Sequence, residues 1–230
     1  PGLVDAHAHG PQGTDELVPE QNWSLLQNLA LGTTTLHDPS SRASEIFVAS
    51  EMQQAGMLLA PRIFSTGEIV YGAKSAGVYA EIDSIEDALD HVRRLKAQGG
   101  RSVKNYNQPR RDQRQMVVEA SRRENMLVVA EGGSLFGMDM NLVADGNSTL
   151  EHNIPLDTFY EDVLQFFEHA DSNYTPTLVV GYGGLAGDPY WRQETDVFAN
   201  PLMIHTPPAQ LRAATARRIT APEGDFVDDD

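Results

Sequence analysis

The sequence predicts an α/β fold built on a parallel sheet, and three observations carry that prediction. Short apolar runs rich in Val, Ile and Thr alternate with amphipathic stretches at helical spacing. Each run is bounded by Gly, Pro or Asn. The runs begin roughly 20 to 40 residues apart, the length of one βα unit. Such an alternation builds either a barrel or a doubly wound sheet.

Taken in order, residues 3–9 form the first predicted strand, closed at once by Gly10-Pro11. Trp23, Leu26, Leu29 and Ala30 then recur at helical spacing, and Gly32 stops that helix. Residues 33–37 read as the second strand, 42–55 as a helix and 62–70 as the third strand. Ser84 with Asp87 forms a capping box, Leu89, Val92 and Leu95 form the apolar stripe behind it, and Gly99-Gly100 closes the helix. Strands follow at 102–106, 127–131, 148–152 and 174–180, with helices at 112–124, 157–170 and 208–218. Residues 183–208 are irregular and read as a long loop over one face. A barrel of eight units takes about 250 residues. Seven units are legible in 230 residues, so an eighth strand is expected to be missing. The chain is expected to be one domain, residues 1–230. Its opening directly into a strand predicts that a natural segment, with any export signal, precedes it.

Composition limits the partners. With 40% hydrophobic residues the chain can bury a sizeable core. Acidic residues outnumber basic ones 33 to 17, a net charge of -16, which argues against nucleic acid and against an anionic membrane surface. Cysteine is absent, which excludes disulfides and thiolate metal sites. No apolar run reaches the roughly 18 residues of a membrane span. The expected partner is a small-molecule substrate.

Four features carry chemistry. Residues two apart on a strand point the same way, so His7 and His9 would project from one face about 7 Å apart, with Asp5 on the same side. Paired imidazoles at a strand end suit a divalent first-row metal, although His-x-His also arises by chance. Lys104 is one of only three lysines and falls inside a predicted buried strand. Either it extends its ammonium group out to solvent or a carboxylate, or burial leaves it a neutral amine able to capture carbon dioxide as a metal-binding carbamate. His152 ends one apolar strand, and Glu131 ends another before Gly132-Gly133. Alone, each reads equally as a structural residue.

Together these residues resemble the metal-dependent amidohydrolase superfamily. Pro1-Gly2-Leu3-Val4-Asp5-Ala6-His7-Ala8-His9-Gly10 is similar to that family's first-strand signature. The resemblance implies a TIM-like (β/α)8 barrel, here truncated to about seven βα units. Family members carry two His on the first strand, a carboxylated lysine on the fourth, and one His on each of the fifth and sixth. Counting strands puts Lys104, Glu131 and His152 on the fourth, fifth and sixth. Two departures stand out: Glu131 replaces a His, and the family's general-base Asp on the eighth strand is expected beyond residue 230. The stretches Lys104-Asn105-Tyr106-Asn107-Gln108-Pro109, Ala130-Glu131-Gly132-Gly133 and Leu150-Glu151-His152 resemble a branch found behind a β-propeller in exported bacterial proteins. In that branch Glu at the fifth-strand position is the rule, and an exported or periplasmic location is implied.

The resemblance implies metal ligands His7, His9, Lys104, Glu131 and His152, holding one or two divalent ions, with zinc the expected metal and Lys104 carboxylated. His37, Tyr106 and Tyr182 are candidates for substrate contact. The implied reaction is hydrolysis of carbon–nitrogen bonds in amides or cyclic amides by a metal-activated water. A phosphotriesterase-like reaction on the same centre is the alternative. So is an inactive truncated barrel with only a metal-binding or interaction role. The open strand edges of such a barrel would favour a homo-oligomer.

Overall fold

The structure, a computed structural model, describes residues 1–10, 12–13, 15–72, 80–133, 135–178 and 196–211. Strands and helices alternate in chain order. They are β1 (Leu3–Asp5), α1 (Trp23–Ala30), β2 (Thr33–Asp38), α2 (Ala43–Gln54), β3 (Arg62–Ser65), α3 (Ile85–Ala97) and β4 (Ser102–Asn105). There follow α4 (Arg111–Arg123), β5 (Leu127–Glu131), α5 (Phe136–Ala144), β6 (Thr149–Glu151), α6 (Glu161–Ala170) and β7 (Asn173–Thr175). Every pairing between these strands is parallel. The α/β class and the parallel sheet follow the expectation from sequence.

The strands form two sheets, β1-β2-β3 and β4-β5-β6-β7. Among the described residues, a parallel bridge between Val70 and Asn105 joins them, with Val70 N donating to the Lys104 carbonyl at 3.0 Å. Among the described residues β1 and β7 do not pair, so closure into the expected barrel is not seen. Leu3 and Val4 on β1 are exposed. Even so, the loop after β1 reaches the end of β6, where His7 meets Glu151.

The pleat divides the strands into two chemical faces. Leu36, Ile63, Val103, Val128, Ala130 and Leu150 point one way and are buried. Leu36 and Ile63 pack with Leu25, Ile46 and Ala49 of α1 and α2. Val103 packs with Val92, Leu95, Val117 and Ala120 of α3 and α4. Ala130 and Leu150 pack with Leu142 and Val143 of α5. Each fully buried aliphatic side chain contributes about 1.5–3 kcal/mol, and this layer holds the helices on the sheets. The alternate positions, Thr35, His37, Ser102, Lys104, Glu131, Thr149 and Glu151, are polar and face the other way. A parallel sheet covered on both sides usually reads as continuous apolar sequence. Here the second face is mostly polar, with Phe64 on β3 and Leu127 and Val129 on β5 the apolar positions that share it.

The helices follow their local signals. The Ser84–Asp87 capping box forms reciprocally, with Ser84 Oγ accepting from Asp87 N at 3.2 Å and Asp87 Oδ2 from Ser84 N at 2.9 Å. The hydrogen bond from Asp83 N, followed by those from the side chain and backbone of Ser84, holds the Asp87 carboxyl below its usual range. Asn22 caps α1 by accepting from Ser24 N and Leu25 N. One helix, α5, has no counterpart in the sequence reading. It is 9 residues long, includes Gly137, has no side-chain cap, and carries apolar residues all around, so it shows no stripe. The predicted strand over 62–70 stops at Ser65 and resumes only as the bridge at Val70. In the predicted long loop, Val197–Ala199 and Pro201–His205 form 3-10 turns, and Gln27 Nε2 donates to Thr206 Oγ1 at 3.0 Å. The predicted helix over 208–218 lies mostly outside the described residues, as does Tyr182. No helix among the described residues is long and apolar enough to cross a membrane.

Candidate metal centre

The polar face ends in a cluster where the C-terminal ends of β1, β4, β5 and β6 meet. His7 and His9 are not on a strand, contrary to the alternation reading. β1 ends at Asp5, and His7 N donates to Asp5 Oδ1 at 3.1 Å, turning the chain. Ala8 N bonds to the His37 carbonyl at 3.0 Å, which ties this turn to β2. The turn stacks the two imidazoles edge to face, with their Nε2 atoms 3.1 Å apart. Two nitrogens each about 2.05 Å from a tetrahedral ion would stand about 3.3 Å apart. The pair therefore has the spacing of two ligands to one ion.

His152 enters the cluster by a different device. It follows β6 directly, so pleating would send it to the helix-facing side with Leu150. Instead its φ is 69°, in the left-handed region that non-glycine residues rarely occupy. That turn swings the ring into the cluster, 4.9 Å from the His7 ring. Backbone strain of this kind concentrates at functional sites. His152 Nδ1 lies 2.8 Å from Thr177 Oγ1, and Nε2 lies 2.9 Å from Glu131 Oε1.

Glu131 is the hub. Its other oxygen pairs with Lys104 Nζ, a buried group with a side chain 1% exposed. Burial on its own would raise the Glu131 pKa. The hydrogen bond from His152 and the charge of Lys104 outweigh it, and the carboxyl falls to about 2. Lys104 Nζ has no other partner among the described residues, which leaves a buried amine facing a single carboxylate. Ligand atoms of His7, Glu131 and His152 all lie within 4.8 Å of one another, the arrangement of a metal-binding group. Of the five residues singled out from sequence, these three form the group, Lys104 joins it through Glu131, and His9 joins it through His7.

The substrate-side candidates fall differently. His37 lies deeper on the polar face, with Nε2 2.8 Å from Ser102 Oγ and Nδ1 3.3 Å from the Ala6 carbonyl. Burial lowers its pKa and keeps the ring neutral. Tyr106 packs edge to face on Tyr71 at 5.8 Å, and burial followed by the charge of Glu131 raises its phenol pKa. Sequence reasoning passed over two buried carboxylates. Glu151 lies 2.6 Å from His7 Nδ1. Asp38 is fully buried, accepts from Ser40 N and Ser41 Oγ, and lies 3.7 Å from His9 Nδ1. The signal was present in the alternation: Glu151 shares a face with Thr149, not with the apolar Leu150.

No protein-family model matches the chain, and no curated protein does. Solved structures do. A Xaa-Pro dipeptidase with methionine bound in its active site superposes with a TM-score of 0.62 and 16% identity over 96% of this chain and 64% of its own. The bottromycin amidohydrolase superposes at 0.64 with 17% identity, over 96% of this chain and 51% of its own. Phenylurea hydrolase B superposes at 0.54 with 19% identity, over 65% of this chain and 44% of its own. At these identities the likeness establishes a shared fold, and the chain spans about half to two-thirds of each of the first two.

Proposed function

We propose that this chain carries the metal centre of a hydrolase that cleaves carbon–nitrogen bonds in amides or cyclic amides, on a scaffold of the (β/α)8-barrel kind. The observation that supports this best is the convergence of His7, His9, Lys104, Glu131 and His152 from four separate strand ends. The donor set is two kinds of hard-to-borderline ligand, imidazole and carboxylate, which suits zinc and its first-row neighbours. His7 and His152 each have Nδ1 engaged by an oxygen, so each has Nε2 turned to the cluster. The buried amine of Lys104, with Glu131 as its one partner among the described residues, fits conversion to a carbamate. The ammonium first gives up one proton, a bond then forms between the neutral Nζ and the carbon of carbon dioxide, and a second proton leaves to solvent. The product is an anion beside the Glu131 carboxylate, and a cation between two such anions would stabilise both.

His7, His9, Glu131, His152 and carboxylated Lys104 would hold the ion or ions. A bound divalent metal lowers the pKa of a water and polarises a carbonyl oxygen. The residues of this chain supply the rest. Thr177 orients His152, the left-handed turn at His152 aims it, and His37 meets Ser102 on the strand that carries Lys104. Tyr71 and Tyr106 present an aromatic wall beside Glu131 for the apolar part of a substrate. That several similar structures are named as a dipeptidase, an amidohydrolase and a phenylurea hydrolase supports amide-like substrates over phosphotriesters.

Zinc content measured on purified protein, with and without the double substitution His7→Ala/His9→Ala, tests the centre. The native chain is expected to retain zinc that the double variant loses, and equal content in both would refute the ligand assignment. A panel of N-acyl amino acids, cyclic amides and phosphotriesters tests the reaction. Turnover of the phosphotriester alone would refute the amide reading.

A further inference from the structure

We propose that Glu151 is a positioning residue that fixes the tautomer of His7, holding its proton on Nδ1 so that Nε2 faces His9 with a free lone pair. The inference rests on the metal-centre reading above and concerns a residue which that reading leaves without a role. Glu151 comes from β6 and His7 from the loop after β1, 144 positions apart, yet Oε2 lies 2.6 Å from Nδ1. The carboxylate side chain is 2% exposed. Its second oxygen accepts from Thr149 Oγ1 at 2.6 Å, so both oxygens are engaged and neither is turned to the cluster.

The backbone of Glu151 is held as firmly. Its nitrogen and carbonyl lie in the β5–β6 ladder, where Glu151 pairs with Glu131, and its carbonyl accepts from Gly132 N at 3.1 Å. A Cβ on Gly132 would stand 2.2 Å from that carbonyl oxygen, a contact only glycine permits. The carboxylate that touches His7 is therefore placed by the same pair of strands that places Glu131.

The chemistry of the contact is directional. An ionised carboxylate only accepts, so the nitrogen of His7 that meets it must carry the proton. A neutral imidazole has one proton to place, and Nε2 is left bare. His152 is held in a different way, because a threonine hydroxyl both donates and accepts and so selects no tautomer. Partners of this kind behind a ligating histidine are worth about 10–100-fold in metal affinity.

The test uses the full chain. Long-range proton–nitrogen correlation spectra of the metal-free protein report which ring nitrogen of His7 is protonated, with the signal assigned by its loss in His7→Gln. Zinc affinity is then measured by competition with a chromogenic chelator. The native chain is expected to show His7 protonated on Nδ1. Glu151→Leu, which has no acceptor, is expected to shift His7 toward the Nε2-protonated form and to weaken zinc binding by about 10–100-fold. Glu151→Gln, which can offer either oxygen or nitrogen, is expected to populate both tautomers with an intermediate loss, and it carries the test if the leucine variant does not fold. An unchanged His7 spectrum, or zinc affinity within about twofold of native in both variants, overturns the proposal. The spectra need no metal, so a native chain that shows the Nδ1 tautomer but binds no zinc refutes the metal-centre reading instead.

Discussion

Replacing Glu131 with glutamine in the metal-free chain is expected to be far more costly than the loss of one surface ion pair. Exposed pairs contribute about 0–1 kcal/mol, because water screens them and ordering two long side chains costs entropy. The partner here is Lys104, whose side chain is 1% exposed and has no other partner among the described residues. Removing the carboxylate strands that ammonium group in the interior, and uncompensated buried charges cost about 3–5 kcal/mol. For a chain of this size each kcal/mol moves Tm by about 2–4 °C, so the melting point is expected to fall by about 6–20 °C. Lys104→Met in the same background removes the stranded charge, and the double variant Lys104→Met/Glu131→Gln is expected to be markedly more stable than Glu131→Gln alone. The pH dependence has a definite sign. The folded carboxyl sits near 2 against an ordinary 4.5, so its contribution is full above 4.5 and is lost as pH falls toward 2. The gap between native and Glu131→Gln is therefore expected to close over that window. Denaturant unfolding followed by circular dichroism, in buffer purged of carbon dioxide, measures each quantity. A Glu131→Gln cost below about 1 kcal/mol, or additivity in the double variant, would refute the reasoning.

Three further outcomes are expected. Gly132→Ala pushes a methyl group to within 2.2 Å of the Glu151 carbonyl and must part β5 from β6, so both stability and zinc affinity are expected to drop, by about 1–3 kcal/mol in denaturant unfolding. Native zinc affinity in that variant would count against the shared placement of Glu131 and Glu151. His37 is buried with a lowered pKa, so the unfolded chain takes up its proton first and stability declines as pH falls below 6.5. His37→Gln is expected to flatten that part of the stability–pH curve, and equal slopes in both proteins would refute it. Leu150→Ala, on the helix-facing side against Leu142 and Val143, is expected to cost about 2–5 kcal/mol of unfolding free energy while leaving zinc affinity of the folded protein unchanged.

The regular part of the fold was legible in the sequence because it rests on local patterns. The five residues of β5 matched the predicted 127–131, and the Ser84–Asp87 box marked its helix start. Elements without a local signature escaped. Helix α5 is short, has apolar residues on all sides and no single stripe, and packs against Ala130 and Leu150. The candidate ligands were legible through their resemblance and their strand-end positions, whereas the way they converge was not. His7 and His9 meet through a turn capped by Asp5, and His152 through a left-handed residue, and neither conformation can be read from alternation. Glu151 was missed because its partner lies 144 positions away. Contacts of that range are set by the tertiary fold.

The division of each strand into an apolar and a polar side has a consequence for how the protein tolerates change. Neighbouring codons along one strand report on separate properties. Substitutions at Leu36, Val103, Val128 or Leu150 should alter how much folded protein accumulates, through packing against the helices. Substitutions at Lys104, Glu131 or Glu151 should alter what each folded molecule does, and those at Lys104 and Glu131 its stability as well. A library scored in parallel for cellular abundance and for turnover would then show turnover per folded molecule falling at Lys104, Glu131 and Glu151 but not at Val103, Val128 and Leu150.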